Sequence, residues 1–322
     1  SASRGGRTRY SGPVGRVVDA LLRDAGIGQA AFERQVLENV HRVKNWRFKP
    51  LFVSMAHHFY NELCGHAPSI DGFATRILHQ HEGMQEGFTD LGSKVLHALL
   101  DDRDGRRILI DIKHMSKAAR EEYYALLDRE YAHEDIPLIV SHGAVTGYPS
   151  RPGRFLNEEI NFDDAELIRI GRSGGILGLQ LDERRIGSRD MLRKTRGKTR
   201  RHAVLHRWAR LVWYQVQHVA EVLDRAGLFA WGNVCLGTDY DGIINPISGY
   251  WTAEDLTSLE RYLLQHARVY MDDSLTGHTG HKAVTLPINQ TSPEEIVARV
   301  MQQNAMHFFE RHLRYGHVQP AP

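Results

Sequence analysis

Two short apolar runs that each lead to a histidine constrain the fold more than any other feature of the sequence. Residues 108–114 and 137–143 are rich in β-branched side chains and contain His114 and His142 at their ends. Such runs are typical of buried parallel strands, and the segment between them has the length of a crossover helix. Because the C-terminal strand ends of a parallel α/β barrel face one site, both imidazoles are predicted to face the same space.

Three more runs of this kind extend the pattern along the chain. The five strand candidates are residues 51–57, 108–114, 137–142, 174–181 and 233–239, and segments with helical periodicity lie between them. This alternation predicts an α/β fold with a parallel sheet. No glycine-rich dinucleotide-binding motif follows the first strand, so a TIM-like (β/α) barrel is favoured. Such a barrel has eight strands, and about five are predicted here, so the barrel is expected to be incomplete.

The sequence divides into three regions by composition and periodicity. Residues 1–14 are rich in Gly, Arg and Ser and are predicted to be a flexible N-terminus. Residues 15–49 show helical spacing and are predicted to be a helical lead-in. Residues 50–322 are expected to form the C-terminal part of the barrel together with terminal helices.

The overall composition excludes several classes of partner. The net charge is +2, and the basic stretch at residues 184–201 lacks interleaved aromatic side chains. We therefore expect a solvated loop there and no nucleic-acid partner. No apolar run is long enough for a membrane segment, and no secretory signal is recognised, so a cytoplasmic location is favoured. Cys64 and Cys235 form no CxxC pair, which argues against a disulfide framework and against a cysteine zinc site.

Coordinating or titratable side chains stand at four of the predicted strand ends. They are His57 with His58, His114, His142, and Asp239 with Asp241. Each alone is more often structural, because a strand-end histidine usually makes an ordinary hydrogen bond and an Asp-x-Asp-Gly is usually a turn. Together on one rim they predict a centre in which zinc activates water and Asp239 acts as general base. Arg154, in the loop after His142, is predicted either to bind a substrate carboxylate or to be a surface arginine.

The motifs at residues 51–57, 91–95, 110–116, 139–142 and 236–242, taken in order, resemble the renal (membrane) dipeptidase family. This is a family of zinc peptidases in the amidohydrolase superfamily, built on a TIM-like barrel. The resemblance implies that His114 and His142 bind the second of two zinc ions and that His57 contacts the substrate or the tetrahedral intermediate. It also implies that Asp239 transfers the proton and that Arg154 binds the substrate carboxylate.

The sequence departs from the family in the ligands of the first zinc. The family has a His-x-Asp at the end of its first strand, whereas the only His-x-Asp here, at residues 133–135, lies in a polar turn. The bridging glutamate of the family has no match on a predicted strand. The missing ligands and the missing strands agree, so the chain is expected to start after the third barrel strand.

Three functions remain open from the sequence. The leading hypothesis is a zinc-dependent hydrolase that cleaves a dipeptide or another small amide. The first alternative is a non-catalytic or truncated barrel that serves as a structural or interaction module, for which a homo-oligomer is expected because sheet edges would be exposed. The second is another amidohydrolase-type enzyme with a mononuclear metal site.

Overall fold

The computed structural model describes residues 28–70, 80–103, 106–197, 200–243, 245–272 and 283–313. The chain divides into two compact units, residues 1–136 with 315–322, and residues 137–314. The predicted flexible terminus at residues 1–14 and residues 15–27 of the predicted helical lead-in lie outside the described residues. No helix of the described ranges is long and apolar enough to cross a membrane.

The described residues of the first unit contain two strands and three α-helices. In chain order they are α1 (Gln29–Lys44), β1 (Phe52–Ser54), α2 (Asp90–Leu100), β2 (Leu109–Asp111) and α3 (Lys117–Glu130). Strands β1 and β2 pair in parallel, with Ser54 opposite Asp111. The hydroxyl oxygens of Thr89 and Ser116 accept backbone N–H bonds at the starts of α2 and α3, which fixes where these helices begin.

The second unit contains three strands and six α-helices among its described residues. They are β3 (Ile139–Gly143), α4 (Asp164–Arg172), β4 (Ile176–Leu179), α5 (Arg189–Thr195), α6 (Arg201–Arg225), β5 (Val234–Leu236), α7 (Leu256–Met271), α8 (Pro293–Ala298) and α9 (Asn304–His312). The strands pair in parallel, β3 with β4 and β4 with β5. The register shifts between Val140 and Gly143, so β3 bulges just where His142 lies.

The predicted α/β class with parallel strands is confirmed, and each of the five predicted runs contains one strand. The strands are shorter than predicted, between three and five residues. The reason is that the residues after the last strand pair turn away from the sheet. His114 and Asp239 both have positive φ, 66° and 57°, and extended backbone ends before them.

The C-terminal helical segment is broken in the middle. Its first turn has Pro293 at the first helical position and a Ser292 hydroxyl that accepts the N–H of Glu295 at 3.1 Å. The Glu295 carboxylate pairs with Arg299 at 2.8 Å. A π-helical turn, Arg299–Gln303, then separates α8 from α9.

The basic stretch predicted as a loop contains the short helix α5, so that prediction is wrong in part. Ser188 caps this helix through a hydrogen bond from the backbone N–H of Met191. Asp190 in the first turn pairs with Arg193 and Lys194 at 2.6 Å each. Local pairs at i+3 and i+4 thus offset the repulsion between the basic side chains, and helix forms.

Helix α6 supplies much of the core of the second unit. The apolar side chains on one of its faces are buried: Trp208, Val212, Val216, Val219 and Val222. The same helix also buries five polar side chains: Gln215, Gln217, His218, Glu221 and Asp224. Buried polar groups are retained where they are hydrogen-bonded, so this face must contact polar partners.

Candidate active site

Three imidazoles form a cluster at the C-terminal ends of β1 and β2 in the first unit. The ring centroids of His57 and His58 are 4.0 Å apart, those of His57 and His114 are 4.5 Å apart, and those of His58 and His114 are 5.2 Å apart. Because β1 and β2 are adjacent parallel strands, residues just beyond their ends meet at one edge of the sheet. We call His57, His58 and His114 the histidine cluster.

The turn that presents His114 is fixed by a hydrogen-bonded carboxylate. The Ser54 hydroxyl donates to Asp111 Oδ2 at 2.7 Å, and the Lys113 backbone N–H donates to Asp111 Oδ1 at 3.1 Å. Asp111 is fully buried, and the carbonyl of His114 accepts the N–H of Ala67 at 2.8 Å. The positive φ of His114 is therefore held by bonds on both sides of the residue.

A histidine and a carboxylate meet at the strand ends of the second unit. His142 Nε2 lies 3.8 Å from Asp239 Oδ2, although His142 lies near the end of β3 and Asp239 follows β5. The side-chain amide of Gln180, just after β4, donates to Asp239 Oδ2 at 2.9 Å, and Ser141 Oγ lies 2.9 Å from His142 Nδ1. The side chains of His142 and Asp239 are 17% and 25% exposed, so a small molecule can reach this histidine–aspartate pair.

Two glycines allow the strands to approach closely beneath the histidine–aspartate pair. A Cβ atom at Gly178 would lie 2.3 Å from the carbonyl oxygen of Ser141, and one at Gly237 would lie 2.1 Å from the same oxygen. No side chain fits at either position, because the contact is with backbone. Just past Gly237, the carbonyl of Asp239 accepts the N–H groups of Gly242 and Ile243, which closes the predicted Asp-x-Asp-Gly turn.

Arg154 lies in the loop between β3 and α4, where its guanidinium packs on an aromatic ring. The guanidinium carbon is 4.1 Å from the centroid of the Tyr214 ring on α6. Burial, and then the neighbouring charge of Arg151, lower the pKa of Arg154 from its ordinary value. A stacked guanidinium keeps its N–H donors in the plane of the group, so this side chain suits an anionic ligand.

Polar side chains of α6 hold this loop in place. Gln215 Oε1 accepts the N–H of Val145 at 2.8 Å, His218 Nε2 lies 2.7 Å from Asp164 Oδ1, Glu221 pairs with Arg151, and Arg225 donates to Ser150 Oγ at 2.9 Å. Burial opposes ionisation of Asp164, but hydrogen bonds from His218 and Ser150 outweigh it and leave the pKa of Asp164 below its usual range. No sequence motif points to these partners.

The candidate residues only partly fit the predicted zinc centre. Over the described ranges, no group of three or more His, Cys, Asp or Glu side chains is arranged to hold a metal ion. His142 and Asp239 supply two donors at 3.8 Å, fewer than the three protein ligands of catalytic zinc sites. His114 belongs to the first unit and His142 to the second, so their joint role as ligands stays a prediction.

The two cysteines are poor candidates for metal ligation. Both thiols are free and buried, and burial raises the pKa of each to about 12. A thiol binds zinc as the thiolate, which is disfavoured at both positions.

Comparison with solved structures finds metallopeptidases and an amidohydrolase. One is the dipeptidase AC, a metallo peptidase of family M19, at 18% identity and TM-score 0.46 over 71% of this chain and 50% of that one. A metallo peptidase from Rhodobacter sphaeroides, bound to a phosphinate mimic of L-Ala-D-Ala, gives 18% identity and TM-score 0.45 over 71% and 48%. An amidohydrolase from Pseudomonas aeruginosa gives 17% identity and TM-score 0.48 over 83% and 66%.

The chain spans about half the length of the first two structures. No protein-family model and no curated protein matches the chain.

Proposed function

We propose that the chain is a metal-dependent hydrolase that cleaves a dipeptide or another small amide bond. The observation that carries the proposal is the His142–Asp239 pair at the ends of β3 and β5, which hydrogen-bonds with Ser141 and Gln180. A half-buried carboxylate beside an imidazole at the C-terminal strand ends suits general acid–base chemistry.

Each proposed residue has one task. Asp239 accepts the proton of the attacking water and returns it to the leaving amine, which is the role of a general base and acid. By the motif resemblance alone, His57 would contact the substrate or the tetrahedral intermediate. Arg154 binds the carboxylate of the substrate with its in-plane N–H groups.

Zinc is the metal that the motif resemblance implies, with His114 and His142 as the proposed ligands. The described side chains supply only part of a ligand set, so we assign no catalytic step to the ion. A homo-oligomer and a cytoplasmic location likewise remain predictions.

Metal analysis and dipeptide turnover on one preparation test the proposal. We expect the purified chain to retain a divalent metal by mass spectrometry and to hydrolyse dipeptides, with Asp239→Asn as the control for contaminating activity. A chain with neither metal nor turnover contradicts the hydrolase. If size-exclusion chromatography then shows an obligate oligomer, the interaction-module alternative is favoured.

A mononuclear amidohydrolase is the second candidate, because His142 and Asp239 provide two adjacent donors for one ion. One metal per chain, with turnover of amides or lactones but not of dipeptides, would favour it. Two metals per chain with dipeptide turnover would favour the dipeptidase.

A further inference from the structure

A cavity of about 270 Å³ lies at the N-terminal ends of β4 and β5 in the second unit. Gly175 and Asn233, the residues just before these strands, both line it, and the Asn233 side-chain amide donates to the Gly175 carbonyl at 2.7 Å. The volume is several times the roughly 30 Å³ that one water molecule occupies in the liquid, so the cavity has room for a small ligand.

The charged side chains that line this cavity are basic. Arg299 and Arg311 line it together with His307, and none of the described residues in its wall is an aspartate or a glutamate. The two guanidinium groups give the wall a charge of +2 while His307 is neutral. Like charges around one space repel each other, so an anion in that space is favoured.

Arg299 is held firmly, yet one of its donors is unused. Its guanidinium carbon lies 5.1 Å from the centroid of the Phe229 ring, and its Nη2 pairs with Glu295 at 2.8 Å. Its Nε is buried and has no hydrogen-bond partner among the described residues. A buried N–H without an acceptor is unfavourable, and an oxyanion bound at Arg299 would supply that acceptor.

Gly174 lets the guanidinium of Arg311 lie against the backbone at the edge of the cavity. A Cβ atom at Gly174 would be 3.3 Å from Arg311 Nη1, and the φ of Gly174 is 63°. A side chain at this position would therefore be strained and would crowd the guanidinium.

The π-helical turn before α9 determines which face of that helix lines the cavity. Four side chains spaced i, i+3, i+4 and i+7 from the start of α9 lie on this face, and all of them line the cavity: Asn304, His307, Phe308 and Arg311. The turn begins at Arg299, and its extra residue rotates the helix that follows by about 100°. Such turns occur frequently at functional sites.

We propose that this cavity binds a small oxyanion, the phosphate or carboxylate group of a small molecule, through Arg299 and Arg311. Planar guanidinium groups match the oxygens of such an anion in pairs. The bound anion offsets the repulsion between the two arginines and connects α9 to the N-terminal ends of β4 and β5. His142 and Asp239 lie at the other ends of their strands, so the proposal does not depend on the hydrolase function.

NMR of the protein labelled with ¹⁵N-arginine tests the site directly. Inorganic phosphate and succinate are titrated separately, with sodium chloride at the same ionic strength as the control. Arg299→Gln and Arg311→Gln identify the two Nε–H signals by their loss. We expect both signals to shift saturably with at least one of the two anions and not with chloride. If neither anion shifts them at millimolar concentration, the proposal is overturned.

Isothermal titration calorimetry of the variants measures the contribution of each arginine. Arg299→Gln and Arg311→Gln should each weaken binding by about 10- to 100-fold, because each removes charged donors. Arg311→Lys keeps the charge but not the fork and should weaken binding less. Arg193→Gln removes an exposed arginine of α5 and is the matched control that should bind normally. Natural affinity in folded Arg299→Gln and Arg311→Gln overturns the proposal.

Thermal unfolding gives an independent measurement. A ligand that binds only the folded state stabilises it, so the unfolding midpoint of the natural chain should rise with the concentration of the anion that binds. The double variant Arg299→Gln/Arg311→Gln should not show this rise. A rise of equal size in the double variant would mean that the anion acts elsewhere, and the proposal would fail.

Discussion

The histidines of the two units have different side-chain partners. In the first unit, a neutral hydroxyl and a neutral amide, Ser69 and Gln80, stand behind His58. In the second unit, carboxylates stand beside the histidines, Asp239 beside His142 and Asp164 beside His218. The first arrangement places uncharged groups next to the imidazole, whereas the second places an ionisable partner next to each imidazole.

This difference has a consequence for pH dependence. Backbone N–H groups and amide side chains do not titrate in the range where proteins are folded, so the bonds from Ser69 and Ile70 to Gln80 should not depend on pH. Carboxylates lose their charge in acid, so the supports in the second unit should weaken there. The neutral network is suited to positioning, and the charged pairs are suited to proton transfer or to holding a loop.

The largest effect is expected at the histidine–aspartate pair. Asp239→Asn keeps the size of the side chain and removes the proton acceptor, so we expect kcat for dipeptides to fall by about 10²- to 10⁴-fold. Steady-state kinetics measure it. Asp241→Asn, an exposed position of the same turn with positive φ, is the matched control and should change kcat little. If Asp239→Asn retained full kcat, the carboxylate beside His142 would have no role in proton transfer.

The next largest effect is expected where Asp164 supports the Arg154 loop. Asp164→Ala leaves buried His218 and Ser150 without their acceptor, so we expect a loss of about 3–5 kcal/mol in unfolding free energy, measured by urea denaturation at neutral pH. Asp163→Ala removes only a half-buried helix cap beside it and should cost about 1 kcal/mol. Equal losses in the two variants would contradict a special role of the buried pair.

The same variant gives the pH test. The folded pKa of Asp164 lies below its ordinary value of about 3.9. Its contribution is therefore complete above that value and is lost as the pH falls through the folded pKa. The stability difference between the natural chain and Asp164→Ala should shrink in this acid range. A difference that stays constant down to the folded pKa would show that the charge of Asp164 does not contribute.

A smaller loss of unfolding free energy, of about 3 kcal/mol, is expected when the close strand contact beneath the histidine–aspartate pair is disturbed. Gly237→Ala places a methyl group 2.1 Å from the Ser141 carbonyl, so the strands must separate. Gly187→Ala, where the nearest atom is 3.6 Å away, is the matched control and should be close to neutral. Urea denaturation measures both. If Gly237→Ala left the free energy of unfolding unchanged, the strands beneath the histidine–aspartate pair would separate at little energetic cost.

The smallest effect is expected in the neutral network of the first unit. Gln80→Leu leaves the backbone N–H groups of Ser69 and Ile70 without an acceptor and should cost about 2 kcal/mol. Unlike the loss at Asp164, this loss should be the same at neutral and acid pH. Gln35→Leu on the exposed face of α1 is the control and should be near neutral. A loss that varied with pH would contradict the assignment of this support as neutral.

Local pattern accounts for the parts of the site that sequence could predict. The β-branched runs before His114 and His142 indicate buried parallel strands because such side chains pack well in that setting. The same logic places Asp239 after β5 and buries the apolar face of α6. The predicted strands are longer than the observed ones, because side-chain periodicity does not show at which residue the backbone turns to a positive φ.

The sequence by itself determined the α/β class, the five strands and the residues at their ends, since these depend on side-chain periodicity within a few residues. Only the tertiary structure decided which polar partners those residues have. Ser69 and Gln80 are 11 and 22 positions from His58, and Arg151 is 70 positions from Glu221. Hydrogen bonds over such separations depend on how the chain closes its loops, and no local spacing encodes them.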